Sequence, residues 1–195
     1  MKKRLHNNGE YICDFECTGD YIQDAILVDR LLTERGLKQV VTPQQTIFRQ
    51  ANSFMTTSAL LYEKIIARPP DAGAVAPFVV NAAFALELYL KTLALQHGKT
   101  LRGHELEKLF KKLPANAKQI LEQELSVLTK KSDWADGQST LDDLRRTAVH
   151  LNSAFIDWRY LHEKPQIGLK IDFRPTIFLG EVLHAACQPK TAVHT

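Results

Sequence analysis

Two arginine–histidine pairs lie close together in RRTAVHLNSAFIDWRYLHEKP, residues 145–165. A guanidinium is a fixed positive charge and an imidazole can move a proton near neutral pH, so either pair could carry chemistry or be an ordinary part of a long helix. Arg145 and His150 have four residues between them, whereas Arg159 and His162 have two, with Glu163 one turn beyond Arg159. On a continuous helix Arg145 and His150 diverge by about 140°. They cannot meet on one substrate within a monomer unless the helix begins later or a dimer supplies the second group. Arg159 and His162, at i and i+3, are surface neighbours.

A second polar set lies upstream, in NAAFALELYLKTLAL. Val80, Phe84, Glu87 and Lys91 fall on one helix face, and a glutamate on an otherwise apolar helix is unfavourable unless paired. Lys91, four residues on, has the favourable orientation. His104, between Gly103 and Glu105, is placed to cap backbone groups or to hold a neighbouring carboxylate. Two readings stay open: an ion pair near the bundle surface, or a polar notch between helices that His104 or Arg159 reaches. The CDFEC segment pairs Cys13 with Cys17, but no further ligands stand at zinc spacing. With Cys187 these read as buried or half-buried thiols, and neither a metal nor a cofactor is expected.

These side chains need helices to position them. Apolar spacing predicts a helix over Asp20–Arg35. Thr42-Pro43 is a hydroxyl cap followed by proline at the first helical position, opening a helix to about Ala67. A helix from about Pro77 to Gly98, apolar nearly all round, is predicted to be central. A short amphipathic helix follows in LRGHELEKLFKKLP, then one over Ala115–Lys130, with KKSDWADGQS as a loop. A long helix from Ser139 or Thr140 to about Glu163 carries a seam through Leu141, Leu144, Ala148, Leu151, Phe155, Trp158 and His162. GLKIDF reads as strand-like and Pro175 as the start of a last helix through about Cys187. Residues 1–19 read as irregular, apart from a short strand in EYICDF. The predicted fold is all-α: an up-and-down helical bundle over 42–165, an N-terminal extension over 1–41, and a strand-like segment with a packed helix over 166–195.

Composition is that of an ordinary globular chain, 45% hydrophobic and 24% charged, with formal charge +3. This permits nucleic-acid contact without arguing for it. The densest basic run, Lys108, Lys111, Lys112 and Lys118, with Lys130 and Lys131 beyond, reads as a solvated helix face. An odd number of cysteines and a polar start lead to the expectation of a reduced, cytoplasmic protein. No membrane contact is expected, since Asn81, Glu87 and Lys91 interrupt the most apolar stretch, Pro77–Leu95.

The succession NAAFALELYLKTLAL, GHELEKLFKKLP, FIDWRYLHE resembles a bacterial branch of the HEPN superfamily, over roughly residues 43–163. The resemblance implies a small helical bundle whose signature residues are Glu87, Lys91, His104, Arg159 and Glu163. It also implies a homodimer, a nucleotide or RNA ligand, and a nucleotidyltransferase or antitoxin partner. Many members are metal-independent ribonucleases of toxin or phage-defence systems that use Arg-x(4–6)-His at a dimer interface. After Arg159 the histidine positions hold Lys164, Pro165 and Gln166 instead, while Arg145 and His150 fit the spacing formally. The expected function is thus a binding module for nucleotide, RNA or a protein partner through a polar interhelical cluster. The alternatives are a ribonuclease using Arg145/His150 or Arg159/His162, and a purely structural interaction module.

Overall fold

A computed structural model of the chain describes residues 1–7, 9–38, 41–152 and 171–188. The protein is mostly helical with a short N-terminal two-strand hairpin. It divides into two compact units, Met1–Val41 and Thr42–Thr195.

In the first unit β1 (Lys2–Asn7) pairs antiparallel with β2 (Glu10–Glu16). This corrects the irregular reading of the N-terminus. Asn8-Gly9 is a strong short hairpin signal, and Gly9 sits at φ +86°, which an L side chain rarely adopts. α1 (Tyr21–Glu34) begins at Asp20, whose carboxylate accepts from the backbone N–H of Ile22 and Gln23. Asp24 takes hydrogen bonds from the Cys17 thiol and from Thr18, which hold its pKa down at about 2. None of the residues of α1 is buried, and Tyr21, Ile22 and Ile26 are exposed despite their helical spacing.

The second unit is built around α3 (Val75–Gln96), which packs along α2 (Pro43–Ile66). Of its 22 residues 13 are buried, so it is covered on nearly every side. By length and composition alone Ala72–Gln96 would suffice to cross a membrane, contrary to the count made on its polar residues. Gly98, at φ +73°, terminates it and turns the chain back. α4 (Leu106–Lys111) buries Leu106, Leu109 and Phe110, and α5 (Ala115–Leu128) buries Ala117, Leu121 and Leu125. α6 (Leu141–His150) and α7 (Phe173–Cys187) complete the described elements. An aromatic group joins α2, α3, α7 and the α5–α6 connection: Phe78 lies 5.1 Å from Phe173 and 6.3 Å from Tyr62 between ring centroids, and Tyr62 lies 5.2 Å from Trp134.

α2 opens with a capping box: the Thr42 hydroxyl accepts from the Gln45 N–H, and Gln45 Oε1 accepts from the Thr42 N–H. Thr42→Ala is expected to destabilise the protein by about 1 kcal/mol, lowering Tm by roughly 2–4 °C in a thermal melt.

Two boundaries differ from expectation. The helix opened by Thr140 stops at His150 instead of continuing through residues 151 and 152. At the break Asn152 Oδ1 accepts from the Glu107 N–H, one of the first-turn donors of α4 that have no intrahelical partner. A tertiary cap thus competes with helix continuation, while Leu144, Ala148 and Leu151 of the seam are buried. Phe155, Trp158 and His162 lie outside the described residues. α7 starts at Phe173, so that end of GLKIDF is helical, and Pro175 falls in the first turn, where its missing N–H removes no bond.

Candidate functional site

Glu87 is only 6% exposed, on the buried side of α3. One turn on, Lys91 Nζ lies 2.6 Å from Glu87 Oε1. From the α3–α4 connection, His104 Nδ1 lies 3.0 Å from Oε1 and 3.2 Å from Oε2 of the same carboxylate. Leu101 and Leu106, both buried, pin this connection on either side of His104. Since a carboxylate only accepts, Nδ1 carries the proton and the lone pair of a neutral ring is on Nε2. The His104 side chain is 85% exposed. A buried carboxylate therefore fixes the tautomer and orientation of an imidazole that faces solvent, with an ammonium beside it. Such a group can accept or donate a proton at Nε2, or hold a phosphate oxygen through Nε2–H when protonated. Arg159, His162 and Glu163 lie outside the described residues.

The surroundings are basic. Residues 91–118 hold seven lysines and arginines against two glutamates, a local excess larger than the +3 of the whole chain. Lys99 Nζ donates to the Lys112 carbonyl and Lys118 Nζ to the Lys111 carbonyl, which gathers these cations at the C-terminal end of α4. Counting charge over the whole chain hides this concentration.

Arg145 and His150 are not brought together. Arg145 Nη1 lies 3.0 Å from Glu107 Oε1 and Nη2 lies 2.8 Å from Asp142 Oδ1. Glu107 is also bound by Lys111 at 2.6 Å. Lys111, and after it Arg145, hold the Glu107 carboxyl below its ordinary pKa, while Asp142 and then Glu107 raise that of Arg145. The guanidinium is thus neutralised by two carboxylates. His150 lines a separate hollow, where the arginine beside it is Arg146.

A further polar group escaped sequence reasoning. Asn52 of α2, Tyr89 of α3 and His184 of α7 meet at one end of a groove of about 720 Å³ walled by Met55, Tyr62, Trp134 and Ile177. The Tyr89 hydroxyl donates to Asn52 Oδ1 at 2.7 Å, and His184 Nδ1 donates to the same oxygen at 2.9 Å. His184 Nε2 accepts from Gln188 Nε2 at 2.8 Å. Both ring nitrogens of His184 are occupied, and the triad ties three helices together. Burial pushes the Tyr89 hydroxyl pKa up, which keeps the phenol neutral. No family model, curated protein or solved structure matches this chain.

Burial also lowers the His184 pKa from its ordinary value. The unfolded chain then binds a proton at His184 before the folded chain does. The folded state has its full stability above the unfolded value of about 6.5. That stability falls as the pH drops below it and levels off below the depressed folded value. Tm is expected to decline on acidification below about pH 6.5, and the decline should be shallower in His184→Gln; parallel curves would refute the assignment.

Among the described residues no group of three or more His, Cys, Asp or Glu side chains could hold a metal ion. Cys13 and Cys17 are half-buried and Cys187 is buried, all as free thiols.

Proposed function

We propose that this chain is a HEPN-like helical module of the cytoplasm that binds RNA or a nucleotide by its phosphate through Lys91 and His104, which Glu87 holds in place. It does not act as a nuclease through Arg145 and His150. The observation that carries this reading is the meeting of two cationic or proton-bearing groups, Lys91 and His104, on one buried carboxylate, with the imidazole facing solvent. The basic excess of residues 91–118 supports a phosphate-bearing partner, because nucleic-acid binders concentrate positive charge locally. Arg159 and Glu163 complete the cluster in this proposal through the resemblance alone. So do the homodimer and a nucleotidyltransferase or antitoxin partner. The capture of Arg145 by Glu107 and Asp142 weighs against the nuclease alternative.

The test is fluorescence anisotropy of a labelled single-stranded RNA, with ATP as a competing arm that separates nucleotide from polymer binding. The RNA should bind, and its affinity should fall steeply with added salt. A hydrogen bond to a charged group contributes about 1.5–3 kcal/mol, so Lys91→Ala and His104→Ala should each weaken binding roughly tenfold or more. Arg145→Ala should leave it near the wild-type value. Equal affinity in all of these variants would return the cluster to a structural role.

A further inference from the structure

The groove of about 720 Å³ that ends at Asn52, Tyr89 and His184 lies across α3 from the Lys91–His104 cluster. Tyr89 is about 200° around the helix axis from both Glu87 and Lys91. The volume is that of a small-molecule site. Along α2, lining residues recur at three- and four-residue spacing from Asn52 to Ile66, so this wall runs about 20 Å. Ile177, Gly180, Glu181 and His184 of α7 form the other wall. A Cβ at Gly180 would strike the end of the Met55 side chain. The two walls therefore meet at a flexible thioether, which can yield to what enters.

The charges of the lining decide its occupant. Among the described residues its titratable members are Glu63, Tyr89, Glu181 and His184, with no lysine or arginine. Burial keeps the Tyr89 phenol neutral and lowers the His184 pKa, so neither offsets a carboxylate at neutral pH. Glu181 accepts from the Ser132 hydroxyl, a neutral donor. No cation among the described residues pairs with Glu63 or Glu181. Arg174, 5.4 Å from the Trp134 ring centroid, does not line the groove and is held by Asp136 and the Asp133 carbonyl. Two uncompensated carboxylates thus stand over a largely apolar surface. Tyr62 and Trp134, edge to face at 5.2 Å, and Tyr89 add aromatic faces, which attract cations. An anion is repelled here, and a neutral apolar molecule gains nothing from the carboxylates. We infer that this groove binds an organic cation, a protonated amine on an apolar body.

Tryptamine, tryptophol and indoleacetate share a body and differ in charge, and they are the probes. They are titrated into the full chain by calorimetry and followed by methionine-methyl NMR. The chain has two methionines, Met1 and Met55, so the Met55 methyl reports on the groove directly. Tryptamine should bind and shift the Met55 signal while leaving Met1 in place. The alcohol and the carboxylate should bind at least roughly tenfold more weakly. Glu63→Gln and Glu181→Gln remove charge without opening a cavity. Together they should weaken tryptamine roughly tenfold, to the level of tryptophol, whose own affinity should not change. Failure of tryptamine to bind, equal binding of tryptophol, or binding that leaves Met55 unmoved overturns the inference. A Met55 signal that moves with protein concentration alone assigns the groove to a second copy of the chain and overturns it as well.

Discussion

Glu87→Ala is expected to lower stability by about 1–3 kcal/mol and to weaken RNA binding roughly tenfold or more. Removing one partner of a fully buried ion pair costs about 3–5 kcal/mol, because the other charge is left uncompensated. Here the discount is substantial: the Lys91 side chain is 22% exposed and that of His104 is 85% exposed, so both can turn to water. The same freedom predicts the larger effect on binding. Without the carboxylate nothing holds the His104 ring in one tautomer and orientation, and the ligand must order it. Glu87→Gln keeps the volume and one acceptor but not the charge, so it should lie between alanine and wild type in both measurements. A drop in Tm with unchanged RNA affinity would assign the cluster to stability alone.

Phe78→Ala is expected to destabilise the protein by about 3–5 kcal/mol, the largest effect among the substitutions considered. Phe78 has no exposed surface, and its ring lies against Phe173 at 5.1 Å and Tyr62 at 6.3 Å. Truncation leaves a void facing Tyr62 of α2 and Phe173 of α7. Chemical denaturation should show the midpoint fall with little change in slope. Phe78→Leu, which restores much of the volume, should recover more than half of the loss.

The legible parts of the fold were those written in local chemistry. Thr42-Pro43 marks the start of α2, Gly98 the end of α3, and Leu106, Leu109 and Phe110 the buried stripe of α4. The Glu87–Lys91 spacing is likewise a local feature, readable as an i,i+4 pair. What could not be read depends on distant partners. α6 stops at His150, where Asn152 caps a helix that starts 46 positions earlier in the chain, at Leu106. The meeting of Asn52, Tyr89 and His184 needs three helices in place, and none of these residues has a short-range signal that marks it. The separation of Arg145 from His150 follows from helical geometry. The capture of Arg145 by Glu107 does not, since Glu107 comes from another element. The N-terminal hairpin is a different case: Asn8-Gly9 is a local turn signal, and only the second of its two strands, in EYICDF, was read.

The measurement closest to the central claim is the imidazole nitrogen spectrum of histidine-labelled protein, recorded with and without single-stranded RNA. His104→Ala identifies the His104 signals among those of the seven histidines. The free protein should show the Nδ1–H tautomer at His104. Saturating RNA should shift the His104 Nε2 resonance and leave that of His184, both of whose nitrogens are already bonded, in place. RNA binding that leaves the His104 signals unmoved would contradict the account.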